Sequence, residues 1–428
     1  VLVAGIGLCL PTAGRVAEVA IDIVKAPQQR ISAALAPFSV TGDLPAERAE
    51  TLRSVLAEDL VFSGFFTVQT EFAPETPLNG SEMLGNPTLF DRLLGRGLEL
   101  LLNVRAGTEG GKFLLEGLVF DTSSRRQVFG KRYQGPDWAG NKMVHILAGD
   151  LIQEFAGVKP LTKSRLAFLW NASGKKQVFV GDYRGNDARS LSKPGELALF
   201  PEWTADAQNI AYTSFQTGFP QLMLQDADGS YLKVLSSYPG MNSTVSFAPD
   251  GSGFLATLSR DGNPEIYKLD LRGKILQRMT YDSAVDTSPC YSPDGQEFVF
   301  VSDKGGSPQI YRMSGAGGKA DRLTFSGKHN VAPDWSPGGK HIVYSSLQGG
   351  GYELMLLNPV TRETVQLTEG PGNKEDPDWG VDDRHVVYTL TRDHKSDLYM
   401  IDVYTRETVK LTRGKGDFSS PSWSPIQR

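Results

Sequence analysis

The sequence predicts a multidomain chain in which a six-bladed β-propeller, all-β, follows a small α/β domain, and three observations carry that expectation. Residues 166 to 428 repeat one pattern at a fixed 44-residue spacing. Each unit holds four short runs of apolar, β-branched or aromatic residues, parted by Gly, Asp, Asn and Pro, which is how strands and turns read. The repeat region also opens on the second kind of run and ends on the first, so that the last segment must complete the first blade.

The first run carries an aromatic residue at Trp203, Phe247, Tyr291, Trp335, Trp379 and Trp423. The second begins at Leu166, Ile210, Phe254, Phe298, Ile342 and Val386. The third begins at Gln177, Gln221, Glu265, Gln309, Glu353 and Asp397, and the fourth is marked by Leu191, Leu235, Met279, Leu323, Leu367 and Leu411. Helical repeats of this length need long stretches at 3.6-residue periodicity, and Gly and Pro break every such window. The recurring aromatic rings are expected to fill the space between neighbouring blades. SPDG at Ser292–Gly295 and APDG at Ala248–Gly251 read as turns, with Asp250, Asp294 and Asp382 as turn aspartates in preference to calcium ligands.

Ahead of the propeller, expected over 163–428, the chain divides into a leader over 1–17 and an N-terminal domain over 18–158. VLVAGIGLCL is apolar and too short to span a bilayer, and Pro11 and small residues follow it, the order of a secretory signal. Leu8 argues against a lipid anchor on Cys9, and cleavage near Glu18 leaves Cys290 as a lone thiol. RISAALAPFSV reads as a strand, Leu44 to Gly64 as a helix with Leu52, Leu56 and Leu60 on one stripe, and FFTVQ as a second strand. LELLLNVRA and FLLEGLVFD form a hairpin over TEGGK, RQVFGKRYQG adds a strand, and Trp138 to Phe155 reads as a helix. LLGRG and GTEGG lack the Lys-Ser or Lys-Thr pair of a phosphate-binding loop and read as turns.

Net charge is −5 with no basic tract, which excludes a nucleic-acid footprint. No G-x-S-x-G nucleophile elbow is present, and the five histidines are isolated, without the paired spacing of a metal site. No enzyme activity, cofactor or metal is therefore expected; the alternative is a propeller accessory to a peptidase-like or other envelope enzyme. Glu202, Asp334, Asp376 and Asp378 fall on or near inner strands, where they would load a central channel with negative charge and leave a bound cation as a second possibility.

The order of parts resembles the TolB family, periplasmic components of the Tol–Pal system of Gram-negative envelopes. The resemblance rests on EVAIDI at Glu18, APF at Ala36–Phe38, TKSRLAF at Thr162–Phe168, GDYRGND at Gly181–Asp187, and the six gapless repeats ending in PSWSP. It implies a periplasmic protein, not an integral membrane protein, that serves outer-membrane integrity and constriction at cell division. It further implies that the propeller binds the lipoprotein Pal around one channel mouth, and that the extreme N-terminal segment, with Glu18, Val19, Ile21, Asp22 and Ile23, meets TolA. Family Pal contacts fall in the second and third loops leading into inner strands, which here supply Met241, Asn242, Thr244, Asp286 and Thr287. These loops differ from one another where the SPDG turns of the opposite face repeat, which is the residue-level reason to expect a binding rim there.

Overall fold

The computed structural model describes residues 30–71, 80–171 and 174–426, and every element and count given is of those residues. The expected leader and the segment holding Glu18, Val19, Ile21, Asp22 and Ile23 lie outside them.

The N-terminal domain is a mixed sheet covered on both faces. Its strands are β1 (Ile31–Leu35), β2 (Ser39–Thr41), β3 (Phe66–Gln69), β4 (Leu100–Glu109), β5 (Lys112–Asp121) and β6 (Arg126–Pro136), in the order β3-β1-β4-β5-β6 with β2 also on β4. β1 runs parallel to β3 and β4, and helix α1 (Ala46–Phe62) makes the crossover that parallel pairing requires. Leu52, Leu56 and Leu60 of α1 pack with Leu147 and Leu151 of a later helix, Gly140–Ala156, against one face of the sheet. Two short helices that sequence periodicity did not single out, α2 (Gly80–Leu84) and α3 (Pro87–Leu94), cover the other face through Met83, Leu89, Phe90 and Leu93. α3 starts for a local reason: Asn86 accepts a hydrogen bond from the Leu89 N–H at 3.1 Å, and Pro87 occupies the first helical position. The long helix is thus α4 (Gly140–Ala156), and it stops at Gly157, whose φ of 71° is left-handed.

Six four-stranded antiparallel sheets follow. Asp417–Trp423 pairs with Arg165–Asn171, Phe418 lying opposite Trp170 and Trp423 opposite Leu166, so the chain's last strand is the inner strand of blade one. This closes the ring by backbone hydrogen bonds and leaves no open edge there. The inner strands of blades two to six are Ala198–Trp203, Asn242–Phe247, Asp286–Tyr291, Asn330–Trp335 and Asn373–Trp379.

The apolar cores lie between blades. Val178 and Val180 of blade one pack with Trp203 and Ile210 of blade two, and Val299 and Ile310 of blade four with Trp335 and Ile342 of blade five. The pattern continues around the ring: Val343 and Leu354 meet Trp379, and Val387 and Leu398 of blade six meet Trp423 of blade one. An inter-blade aromatic ring buries a large area while freezing only two side-chain torsions, which is why the position stays aromatic in all six units.

Each inner strand also carries a bulge. Phe200, Thr244, Ser288, Ala332, Asp376 and Ser420 sit at φ between 32° and 54°, the left-handed region that costs a non-glycine residue about 1–3 kcal/mol. Proline follows in five of the six cases, at Pro201, Pro289, Pro333, Pro377 and Pro421, and its missing N–H suits a break in the ladder. The strain recurs at one structural position and turns these residues and their neighbours towards the central channel.

Candidate binding face and channel

The SPDG turns behave as internal structure. Ser292 Oγ accepts from the Glu297 N–H at 3.0 Å, Asp294 accepts from the Gln296 N–H at 3.0 Å, and Asp250 accepts from the Ser252 N–H at 2.9 Å. Asp382 takes the Arg384 and His385 N–H groups and pairs with His385 Nδ1 at 2.6 Å. Among the described residues no group of three or more His, Cys, Asp or Glu is arranged to hold a metal ion.

The N-terminal domain docks on this same turn-bearing face. Tyr183 and Arg184, in a turn of blade one, reach Asp59 and Glu58 of α1, and Arg30 pairs with Glu407 in a turn of blade six at 2.9 Å. Sequence marks the seat: where other blades place Ser, Thr or Ala at the head of the turn, blade six has Gly380, and a Cβ there would stand 2.7 Å from Leu161 Cδ2.

On the other face, the loops into blades two to five and the hairpin between the second and third strands of blade two present large apolar side chains. Phe219, Tyr281 and Phe325 are 75%, 71% and 65% exposed, and Leu197, Met241 and Val285 also face solvent. Arg278 lies over the Tyr281 ring at 5.1 Å and Arg322 over Phe325 at 5.1 Å, holding both rings out as platforms. The loops into blades six and one put Glu369 and Arg413 where Tyr281 and Phe325 stand. Exposed Tyr231, Leu271, Val360 and Tyr404 on the turn-bearing face are spread one to a blade.

Of the five rim residues expected from sequence, Met241 is exposed, and Thr244 and Thr287 are half-buried. Asn242 and Asp286 lie in the same two loops and are fully buried. Asn242 shapes its loop, accepting from Ser236 Oγ at 2.7 Å and the Tyr238 N–H at 2.9 Å and donating to Tyr238 O at 2.6 Å. Burial pushes the Asp286 carboxyl up to about 6, with Ser302 pulling the other way and Asp282 adding to the rise. Phe219, Tyr281 and Phe325 were missed by sequence reasoning, although Tyr281 and Phe325 share one repeat position whose other occupants are Lys193, Ser237, Glu369 and Arg413.

Between the faces runs a channel with a cavity of about 160 Å³, lined by the bulged segments of the inner strands. Glu202, Ser246, Cys290, Asp334, Asp378 and Ser422 occupy one repeat position around it. Several reach the next blade: Ser246 Oγ accepts the Tyr291 N–H at 3.0 Å, Asp334 the Trp379 N–H at 2.6 Å, and Asp378 the Trp423 N–H at 2.6 Å. Burial, with Asp334 adding its charge, pushes Glu202 up to about 8, and burial pushes Asp334 up to about 6. Burial, then the charges of Asp334 and Glu202, raises Asp378 well above the usual carboxylate range, and burial with Asp334 raises the Cys290 thiol. The acids thus join neighbouring blades while disfavouring one another's charge.

These features define a two-domain protein built on a closed six-bladed propeller, one face capped by the accompanying domain and the other variable and apolar. The family model for the TolB beta propeller domain matches residues 152–427, and the chain belongs to that family. The TolB homolog of Chlorobium chlorochromatii (strain CaD3) is 31% identical over 207 residues, 48% of this chain and 46% of that protein. The Tol-Pal system protein TolB of Desulfosudis oleivorans is 29% identical over 221 residues, 49% of this chain and 48% of that one. The chain spans about half the length of these curated relatives. The crystal structure of TolB from Acinetobacter baumannii superposes with a TM-score of 0.80 at 28% identity, covering 94% of this chain and 98% of that one.

Proposed function

We propose that this chain is a periplasmic, non-enzymatic protein-binding component of a Tol–Pal envelope complex, serving outer-membrane integrity and constriction at cell division. Its propeller binds the lipoprotein Pal on the face whose loops carry Met241, Asn242, Thr244, Asp286 and Thr287. The N-terminal segment, with Glu18, Val19, Ile21, Asp22 and Ile23, serves as the TolA contact. The observation that carries the binding face is the asymmetry of the ring: exposed Phe219, Met241, Tyr281 and Phe325 stand on one face, while the N-terminal domain covers part of the other. Large apolar rings held at a surface by cation contacts are what a protein partner desolvates to gain affinity. The Tol–Pal assignment is supported by the relatives, several of which are Tol-Pal system TolB proteins. No helix among the described residues is long and apolar enough to cross a membrane. Affinity capture with the mature protein from a periplasmic extract, followed by calorimetric titration with purified Pal, tests the reading. Saturable Pal binding is expected; no heat with Pal, and cleavage of a co-captured peptide over time, would replace it with the accessory-to-an-enzyme alternative.

A further inference from the structure

The junction between the two domains is built unlike the junctions between blades. Its apolar contribution comes from Phe62, Phe65 and Leu161, and around them lie charges: Arg30–Glu407 at 2.9 Å, Arg184–Glu58 at 3.1 Å, and Arg384 reaching over the Phe65 ring at 4.6 Å. A cavity of about 430 Å³ opens beside Phe62, Arg184 and His385, so the two surfaces are not packed to the density of a core.

At the centre stands Asp59 of α1, only 1% exposed. It accepts the Tyr183 hydroxyl from the propeller at 2.5 Å and meets His145 Nδ1, on α4 of its own domain, at 2.6 Å. Arg184 Nη2 approaches to 3.5 Å. Burial and the Asp59 charge hold the Tyr183 phenol well above its ordinary pKa, so it is the neutral O–H that donates. The partner bookkeeping across the junction is unusual. Asp59 has His145 within its own domain; Arg384 has Asp402 at 2.7 Å and His385 has Asp382 at 2.6 Å within the propeller. Parting the domains therefore leaves each of these groups with a hydrogen-bond partner in its own domain, while Tyr183, Arg184 and Glu58 pass into water. The large cost of breaking a buried ion pair comes from stranding one charge in an apolar site, and here none is stranded.

We propose that the domain junction is a polar latch, with the Asp59 carboxylate its shared acceptor, through which the N-terminal domain and the propeller part and re-dock as intact bodies. The turn from Gly157 to Pro160, between α4 and the short helix Leu161–Lys163, is the hinge. The device does not depend on which partner the ring carries.

Spin labels on exposed Lys112 of the N-terminal domain and Val360 of the propeller, in a full-length Cys9→Ser, Cys290→Ser background, report the separation across a urea series below the unfolding midpoint. Tyr183→Phe keeps the ring and removes only the donor, and a hydrogen bond to a charged acceptor is strong enough that its loss should raise the separated population about tenfold. Asp59→Asn is expected to act in the same direction. Both variants should show a longer distance component, and thermal unfolding should resolve into two transitions with native far-UV circular dichroism retained. One unchanged distance and one cooperative transition in Tyr183→Phe would overturn the latch, whatever Asp59→Asn does to the stability of α1.

Discussion

The two faces of the propeller are made from the same 44-residue unit and yet obey different rules. On the face of the SPDG turns, side chains such as Ser292, Asp294 and Asp250 bond their own backbone, and the N-terminal domain seats itself where Gly380 makes room. On the opposite face the loops differ blade by blade, and Phe219, Tyr281 and Phe325 are held into solvent at a cost that the fold itself does not require. Where a repeat keeps its residues, folding explains them; where it departs and exposes apolar rings, a partner is the better explanation.

That contrast holds only if the ring is rigid enough to keep the faces apart, so the largest expected effect comes from opening it. Deleting the strand Asp417–Trp423 strips blade one of its inner strand and uncovers the edge of Arg165–Asn171. Loss of a cooperative melt, with aggregation through the bared edge, is expected; a truncated protein that melts as the parent does would show that closure is dispensable.

Next in size is the packing between blades. Trp335 and Trp379 are both buried in inter-blade cores, and replacing either by Ala should cost about 3–5 kcal/mol, read from urea midpoints. Trp335→Ala and Trp379→Ala proteins with parental midpoints would remove the inter-blade role assigned to these rings.

The channel predicts a smaller effect with a defined sign. Glu202 and Asp334 have folded-state pKa values of about 8 and about 6, above the ordinary 4.5 and 3.8. The folded state therefore holds more protons than the unfolded one between those limits, and stability falls as pH rises through that window. Glu202→Gln with Asp334→Asn should be more stable than the parent at pH near 8, with the advantage fading towards pH 4. A parental pH profile in the double variant would mean that these acids do not charge against one another.

Sequence made the ring legible because six gapless copies let each position be read six times. Closure by Trp423, the inter-blade aromatics and the bonding of Asp250 and Asp294 all follow from that repetition. Outside the repeat there was one copy to read, and α2 and α3 lie in a stretch crowded with Pro, Gly and Asn, where eight residues or fewer are too short for one apolar face to stand out. At the rim the repeat positions divide between scaffold and surface. Asn242, Asp286, Asn330 and Lys374 share one repeat position, and Asn330 and Lys374 are buried and bonded within their loops as Asn242 is. Polarity recurring at that position marked loop scaffolding, whereas the adjoining position, with Met241, Val285 and His329, varies as a surface does.

Calorimetric titration of Pal against two double variants decides whether the variable face binds it. Met241→Arg with Thr287→Arg places two large cations on the apolar rim; Asp250→Arg with Asp294→Arg places the same charges on the turns of the other face. Both should retain the parental circular dichroism, because Met241 and the turn aspartates are exposed and Thr287 is half-buried. The rim variant is expected to lose Pal binding, at least about a hundredfold given the cost of burying unpaired charge at an interface, while the turn variant binds as the parent does. Parental affinity in the rim variant, together with lost binding in the turn variant, would contradict the account and put the partner on the face that the N-terminal domain shares.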